Sequence, residues 1–302
     1  MTERPLKIGV VGIPGKWSSE ALADAVANKT GHRLLIDMAG IDVSLADGSV
    51  GFEGHDLCQL DAIIVKKIAE VYSPNILNRI ELLRFLGTTG VSIYSHPVAI
   101  LQLVNRLSCT VTLRAGGIPL PQTVITENLD AAAKAVEKFG QAVLKPLFST
   151  KARGMTVINR DQDGWRQSLQ AFANRNSMIY IQKRIDIPGQ DLGVMFVGGK
   201  YIATYARVGD KDSWNTTIQS GGHYTAHEPS TNVLKIAEKA QALFGLDFTC
   251  VDVVETSAGP MVFEVSAFGG FRGLRDAHGI DAAALLSDHV VDAQRAKRRG
   301  AS

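Results

Sequence analysis

Two acidic residues lie in a predicted β-hairpin near the C-terminal end of the chain, in the stretch FTCVDVVETSAGPMVFEVSAFGG (residues 248–270). Residues 257–259 form the predicted loop, because three-residue hairpin loops commonly end in a left-handed residue and a glycine stands at that position. This loop places Asp252 directly opposite Glu264. Because side chains alternate along a strand, Ser266 lies on the same face as Glu264.

Two carboxylates among valines repel each other and are costly to remove from water. A divalent cation offsets both effects, and oxygen donors with few protein ligands suit Mg²⁺ held together with substrate phosphates. We therefore predict a metal site formed by Asp252, Glu264 and Ser266, for Mg²⁺ or alternatively Mn²⁺. The competing interpretation is that the two acids lie separately on a solvent-exposed face of the sheet.

A second stretch whose residue types could take part in binding or catalysis is VVGIPGKWSS, near the start of the chain. A phosphate-binding loop needs four residues between its glycines and Ser or Thr after the lysine. Here two residues separate Gly12 from Gly15, and a tryptophan follows Lys16. The stretch is therefore predicted to be a strand-to-helix turn, with Ser18 or Ser19 capping the helix.

The composition excludes several classes of protein. The chain has 302 residues, a net charge of +2 and 45% hydrophobic residues, so its charge favours neither nucleic acid nor an anionic membrane as a partner. No apolar run approaches the length of a membrane span, and the N-terminus lacks a signal-peptide core. Three widely spaced cysteines suit a reducing compartment. We predict a cytoplasmic protein with no nucleic-acid or membrane partner.

The elements that must position these residues change in character along the chain. Strands and helices alternate up to about residue 95, which predicts a parallel α/β layer. One helix is predicted over residues 97–115, and the pattern that follows is α+β, mostly antiparallel towards the C-terminus. We therefore predict a combined α/β and α+β fold with three parts, residues 1–95, 96–185 and 186–302.

From about residue 95 to residue 290, the chain resembles the ATP-grasp superfamily. The resemblance is to the RimK-type group, which joins glutamate or another amino acid to a carboxylate. It implies an ATP-grasp fold whose first part is a Rossmann-like pre-ATP-grasp domain, followed by central and C-terminal ATP-grasp subdomains. The ordered set of segments that carries it is AVLKPL, STKARGM, YIQKRI, TYARVG, a loop ending in SGG, and the acidic hairpin.

The resemblance assigns the nucleotide contacts by position. It implies that Lys145 contacts phosphate oxygens of ATP, and that Lys183, Arg184 and Ile185 form the hinge against adenine through their main chain. It also implies that Asp191 lies near the nucleoside, although a turn residue after Pro-Gly is an equally simple interpretation.

The catalytic and metal positions follow in the same way. Arg207 would stabilise negative charge on an acyl phosphate and on the tetrahedral adduct, with a cross-strand ion pair as the alternative. Asp252 and Glu264 match the family's magnesium ligands, and Ser266 replaces its usual asparagine. Arg106 stands where the family often has a phosphate-contacting lysine.

The substrate side departs most from the family pattern. The predicted substrate contacts, including one from the N-terminal turn, are Lys16, Asn215, Thr217, Gly221, Gly222 and Arg272. Phe268, Phe271 and Arg272 in SAFGGFRGL either line an acceptor pocket or serve packing, and the sequence does not separate these two interpretations.

The resemblance implies a ligase that forms an amide through an acyl phosphate. Its substrates would be ATP, an amino acid and a small carboxylate such as a one-carbon cofactor precursor, and it would form a homo-oligomer. One rival is a non-catalytic ATP-binding regulator. The other is a metal-dependent hydrolase built on His223, His227 and Glu228, which requires the histidines to share a helix face, whereas the neighbouring glycines and proline favour a loop.

Overall fold

The computed structural model describes residues 4–150, 152–187, 189–209 and 221–300. The N-terminal strands are β1 (Ile8–Val11), β2 (Leu35–Ile36), β3 (Ile41–Ser44), β4 (Ser49–Phe52), β5 (His55–Asp56), β6 (Ala62–Val65) and β7 (Ser92–Tyr94). The helices of this part are α1 (Trp17–Thr30) and α2 (Asn75–Thr88), with short 3-10 helices at Met38–Gly40 and Leu57–Gln59.

The N-terminal part is built on a parallel sheet in the order β2-β1-β6-β7. Alternate residues of β6 face opposite sides, so that Ile63 packs in a core with α2 and Ile64 packs in a core with α1. A small antiparallel sheet, β3-β4-β5, lies beside it. The parallel α/β layer predicted for this part is thereby confirmed.

Among the described residues, the middle of the chain contains four strands and four helices. They are α3 (Pro97–Val104), α4 (Arg106–Ala115), β8 (Thr123–Thr126), α5 (Leu129–Phe139), β9 (Gln141–Lys145), β10 (Thr156–Asn159), α6 (Trp165–Ala173) and β11 (Ile179–Lys183). The strands form an antiparallel sheet in the order β10-β9-β11-β8, and α5 and α6 pack on it to form a separate core.

The last part contains the largest sheet of the described residues. Its elements are β12 (Gln190–Val197), β13 (Lys200–Val208), β14 (His223–His227), α7 (Thr231–Ala242), β15 (Phe248–Thr256), β16 (Gly259–Ser266), α8 (Phe271–His278) and α9 (Ala282–Gly300). The strands are antiparallel in the order β14-β13-β12-β15-β16, as predicted. Helix α7 covers one face, and α8 and α9 lie in the core on the other.

The N-terminal and C-terminal parts share two hydrophobic cores. Leu22 of α1 and Val290 of α9 belong to one of them, and Ile63 of β6 and Val251 of β15 belong to the other. Arg298 at the end of α9 joins the same two parts, because it donates hydrogen bonds to the Asp61 carboxylate at 2.8 Å and to the Arg4 carbonyl at 2.7 Å. The division at residues 95 and 185 stays a prediction.

Two details of the predicted helices are wrong. The single helix predicted over residues 97–115 is broken at Asn105, whose extended backbone separates α3 from α4 and whose side chain caps α4. The predicted cap at Ser18 or Ser19 is also wrong, because α1 already begins at Trp17. Among the described residues, no helix is both long and apolar enough to cross a bilayer.

Candidate active site

The acidic hairpin brings Asp252 and Glu264 directly opposite each other, as the sequence predicts. The predicted three-residue loop is wrong, because Thr256 pairs with Gly259 and the loop has two residues. Phe263 is an extra residue in β16, a β-bulge that restores the predicted register. Beyond the acids, Ser266 pairs with Cys250 on β15, so Ser266 follows Glu264 on the same face.

Each acid of the hairpin forms an ion pair with an arginine. Arg207 on β13 lies with Nη2 3.0 Å from Asp252 Oδ1, and it also forms an ion pair with Asp191 on β12, with Nε 3.0 Å from Oδ2. Arg106, the first residue of α4, lies with Nη1 3.0 Å from Glu264 Oε2. The cross-strand ion pair considered for Arg207 is therefore present, and Asp191 belongs to it.

The electrostatics of Asp252 leave its charge under-compensated. Burial raises the pKa of Asp252 to about 6, and the negative charges of Asp191 and Glu264 act in the same direction against Arg207. Within the described ranges, hydrogen bonds and ion pairs reach only Oδ1 of Asp252 and Oε2 of Glu264, so one oxygen of each acid has no such partner. These hard oxygen donors fit a divalent cation that also binds substrate phosphates.

The rest of a metal site would not come from further acids or histidines. In the part of the chain that the structure describes, no three His, Cys, Asp or Glu side chains are arranged so that they could hold a metal ion. Mg²⁺ is commonly bound by one or two protein carboxylates, with phosphate and water as its other ligands. The metal roles of Asp252, Glu264 and Ser266 remain predictions.

Lys145 and Arg106 add positive charge beside the acids. Lys145 ends β9, and its Nζ donates a hydrogen bond of 2.6 Å to Gln182 and lies 5.5 Å from the centre of the Phe263 ring. Burial, followed by the charge of Arg106, lowers the pKa of Lys145 to about 7. Arg106 Nε also donates to the Pro146 carbonyl at 3.2 Å. A phosphate anion here would favour the charged form of the lysine.

A buried polar network supports Lys145, and the sequence analysis did not predict it. Gln182 Nε2 donates to Thr123 Oγ1 at 3.2 Å and to the Tyr180 hydroxyl at 3.3 Å, and Thr110 shares a hydrogen bond with Tyr180. The signal was present in YIQK, where two polar-tipped residues two positions apart share a face of an otherwise apolar strand.

The hinge segment follows β11. The amide of Lys183 donates to the Gln122 carbonyl at 2.8 Å, and the amide of Arg184 donates to the Gln141 carbonyl at 3.0 Å. Among the described residues, Ile185 is thus the one predicted hinge residue whose amide makes no main-chain hydrogen bond. Adenine recognition through the main chain of Lys183, Arg184 and Ile185 stays a prediction.

The substrate side is described in part. Asn215 and Thr217 lie outside the described residues. Gly221 and Gly222 precede β14, and Gly221 has a positive φ of 86°. Lys16 lies at the surface with its Nζ 2.7 Å from Glu70 Oε1.

The aromatic segment after β16 separates into two kinds of residue. Phe271 is 2% exposed and packs edge-on against Phe248 at 5.1 Å, so it serves packing. Phe268 is half-buried and meets Tyr72 of the N-terminal part edge-on at 6.3 Å. Arg272 is exposed and lies near Tyr224. Burial raises the pKa of the Tyr224 phenol, and the positive charge of Arg272 opposes that rise.

The N-terminal turn is not a phosphate-binding loop. The amide of Ile13 donates to Ser19 Oγ at 3.0 Å, and the amide of Gly15 donates to Glu20 Oε1 at 2.7 Å. The amides that a phosphate would need are therefore already bound to side chains of α1. This agrees with the spacing argument from the sequence.

The histidine pair of the hydrolase alternative lies on a strand. His223 and His227 are the ends of β14, and residues four apart on a strand are separated by about 13 Å. The hydrolase alternative requires a helix at these residues and the sequence analysis favoured a loop, and both predictions are wrong because the segment is a strand. The arrangement offers no shared metal site to these two side chains.

The family of the chain follows from comparison with known proteins. Residues 104–290 match the model of the RimK-like ATP-grasp domain. The chain belongs to the RimK-like ATP-grasp family. ATP-grasp proteins of this kind are ATP-dependent carboxylate–amine ligases, and the chain is an enzyme of that class.

Curated relatives align with nearly the whole chain. The tetrahydromethanopterin:alpha-L-glutamate ligase of Methanosarcina acetivorans is 27% identical over 318 positions, covering 94% of this chain and 98% of that protein. The ligase of the same name from Methanococcus maripaludis is 26% identical and covers 95% and 98%. A probable alpha-L-glutamate ligase of Enterobacter sp. is 27% identical and covers 93% and 94%.

Solved structures share the fold of this family member. The ATP-grasp ligase PsnB, complexed with a phosphomimetic variant of its minimal precursor, Mg and ADP, has a TM-score of 0.74 and 18% identity, covering 97% of this chain and 100% of that one. A RimK domain ATP-grasp protein from Sphaerobacter thermophilus has a TM-score of 0.73 and 21% identity, covering 94% and 98%. The predicted ATP-grasp fold is confirmed.

Proposed function

We propose that this RimK-like ligase uses ATP to join L-glutamate to the carboxylate of a small-molecule acceptor, a one-carbon cofactor precursor of the tetrahydromethanopterin kind. The curated relatives that align with nearly the whole chain act, by their names, on tetrahydromethanopterin or as glutamate ligases. The observation that carries the proposal is the opposed pair Asp252 and Glu264 with Arg106, Lys145 and Arg207 around it.

The proposed reaction has two steps. The acceptor carboxylate attacks the γ-phosphorus of ATP, the bond to the β-phosphate oxygen breaks, and ADP leaves. The amine of glutamate then attacks the acyl carbon of the acyl phosphate, and inorganic phosphate leaves as the amide forms. Both steps depend on positioning and on stabilising oxygen charges, for which the site needs no nucleophilic side chain.

The residues of the site divide between these tasks. Lys145 and Arg106 would bind phosphate oxygens of ATP, and the main chain of Lys183, Arg184 and Ile185 would contact adenine. Arg207 would stabilise the charge on the acyl phosphate and on the tetrahedral adduct. Asp252, Glu264 and Ser266 would hold Mg²⁺, or Mn²⁺ in its place, which supplies neutralisation of phosphate charge when bound.

The acceptor side is assigned to the N-terminal part and α8. We place Lys16 and Arg272, with Gly221 and Gly222, among the acceptor and amine contacts, together with Asn215 and Thr217 from outside the described residues. Lys16 lies just after the C-terminal end of β1, the edge at which parallel sheets present ligands. A homo-oligomer and a cytoplasmic location also stay predictions, and sedimentation analysis would test the first.

Release of ADP tests this function. The purified protein is incubated with MgATP, L-glutamate and one acceptor from a panel of tetrahydromethanopterin, tetrahydrofolate and a glutamate-terminated peptide. We expect fast ADP release only when acceptor and glutamate are both present, and a product heavier by one glutamyl residue. A protein that binds ATP but releases no ADP with any panel member would contradict the proposed acceptor class.

A further inference from the structure

Lys66 is a buried lysine that the proposed reaction has not used. It follows β6 at the C-terminal end of the parallel sheet and is 5% exposed. Its Nζ donates a hydrogen bond of 2.7 Å to the carbonyl of Gly269 in the C-terminal part. The same nitrogen lies 4.2 Å from the centre of the Phe271 ring and 5.7 Å from that of Phe248.

Burying this side chain is unfavourable by itself. Desolvation, with a smaller effect from Lys67, lowers the pKa of Lys66 from 10.5 to about 7. An apolar side chain of similar length would fill the space without that cost. The lysine adds a hydrogen bond between two parts of the molecule, together with contacts to two aromatic faces.

The segment that Lys66 holds is the turn at residues 267–270, between β16 and α8. On one side the turn lies against β15, so closely that a Cβ at Gly269 would be 2.9 Å from the Phe248 ring and 3.3 Å from the Cys250 amide. On the other side Phe268 meets Tyr72, which follows Lys66 in the N-terminal part. The turn is thus fixed from both sides, and Lys66 supplies the hydrogen bond.

The turn connects two groups of residues with proposed roles. Ser266 ends β16 just before it, and Gly270 caps α8, which carries Arg272 in its first turn. The other nucleotide contacts are supported elsewhere, because β9 and β11, with Lys145 and Gln182, lie in the sheet that has its own core, and the acid pair is held by the ladder between β15 and β16. A change in the turn should therefore affect the acceptor side more than the nucleotide side.

We propose that Lys66 is a positioning residue, which fixes the 267–270 turn through the Gly269 carbonyl and thereby sets the place of α8 relative to the acidic hairpin. This inference rests on the proposed ligase function. A displacement of about 1 Å at such a site lowers catalysis by about 100-fold without removing any group that touches substrate.

The first test compares Lys66→Met and Lys66→Arg with Lys297→Met. Lys297 is a matched control, because its ammonium also reaches the N-terminal sheet, at Ser92 Oγ, but at the surface. With the panel acceptor on which the unaltered protein is fastest, Lys66→Met should lower kcat/KM for the acceptor about 100-fold while the Kd of MgATP stays within about twofold. Lys66→Arg, which keeps a donor, should recover part of the loss.

The second test does not depend on activity. Hydrogen exchange of the amides at residues 267–272 should become at least about tenfold faster in Lys66→Met, at unchanged exchange in β9 and β11, and should not change in Lys297→Met. Equal exchange in the unaltered protein and Lys66→Met would overturn the proposal, as would parallel losses of acceptor and MgATP binding. If no panel acceptor drives ADP release, the proposed function fails, and the exchange comparison still decides the role of Lys66.

Discussion

At the scale of single residues, the site pairs acids with arginines from distant parts of the chain. Asp252 meets Arg207 from a nearby strand of the same sheet, and Glu264 meets Arg106 from the start of α4. A cation that binds the acids would compete with both arginines, so that Arg106, and Arg207 as far as its ion pair with Asp191 allows, would be available to phosphate oxygens. The same side chains can therefore serve as counter-ions in the free protein and as phosphate contacts with nucleotide bound.

The change Glu264→Gln tests the role of the acid pair. It keeps the size of the side chain and removes the charge, so ADP release should fall by about 100-fold or more. Glu255→Gln is the control, because Glu255 lies on the same hairpin away from the acid pair, with a hydrogen bond to Ser230. It should retain activity within about twofold. Full ADP release by Glu264→Gln would contradict the metal assignment.

The buried amine of Lys66 predicts a dependence of stability on pH. Its pKa is about 7 in the folded protein and 10.5 in a solvated lysine. Between these values the unfolded chain binds a proton that the folded protein lacks, so this group makes stability rise with pH. Between about pH 7.5 and pH 9.5, the unaltered protein should gain about 2 kcal/mol relative to Lys66→Met. Urea unfolding at several pH values measures this, and a constant difference would contradict it.

The residues that sequence reasoning found and missed differ in a physical way. Asp252 and Glu264 were found through strand alternation and hairpin pairing, which are local rules, and their opposed pairing was correct because the bulge at Phe263 offsets the shorter loop. Lys66 and Gln182 were missed because their roles depend on groups far along the chain, such as the Gly269 carbonyl. A sequence pattern marks where a strand ends, but it does not show which distant carbonyl a lysine will reach.

At the scale of elements, the break between α3 and α4 determines where Arg106 lies. Asn105 accepts hydrogen bonds from the amides of Leu107 and Ser108, at 2.9 and 3.4 Å, and so begins a new helix directly at Arg106. The sequence analysis predicted one helix because no proline or glycine marks the break. An asparagine inside an apolar pattern is an ambiguous signal, since it fits both a helix interior and a cap.

The change Asn105→Ala should therefore affect both stability and nucleotide binding. Losing a cap lowers the free energy of unfolding by about 1 kcal/mol. Because Arg106 is the next residue, the Kd of MgATP should also rise several-fold. Asn128→Ala removes the cap of α5, because the Asn128 side chain accepts a hydrogen bond from the Ala131 amide. It should lower the free energy of unfolding by a similar amount without raising the Kd of MgATP. Equal nucleotide affinity in the two variants would contradict this role of the cap.

At the scale of the whole molecule, the hydrophobic cores divide differently from the sequence. The first and last parts share two cores, whereas the middle sheet has its own with α5 and α6. We therefore expect the first and last parts to unfold together and the middle sheet to open separately. The sequence predicted the order of elements and the sheet types, but it carries no local signal for which parts share a core.

Two leucine-to-alanine changes test this division. Leu169 on α6 lies in the core of the middle sheet, and Leu286 on α9 lies in a shared core. Each change should lower the free energy of unfolding by about 3 kcal/mol. Leu169→Ala should speed hydrogen exchange in the middle sheet alone, whereas Leu286→Ala should speed it in the N-terminal and C-terminal sheets together. If both variants instead exchanged faster in all three sheets, the whole molecule would be one cooperative unfolding unit.

The extra residue in β16 has a consequence for what a bound molecule would encounter. On a regular strand, neighbouring side chains point to opposite faces, but a bulge lets two consecutive side chains turn the same way. The ring of Phe263 thus lies near Lys145 while Glu264 next to it reaches Arg106. A ligand lying across this strand would contact an aromatic ring and a carboxylate on consecutive residues. On a regular strand, two side chains on the same face are at least two residues apart.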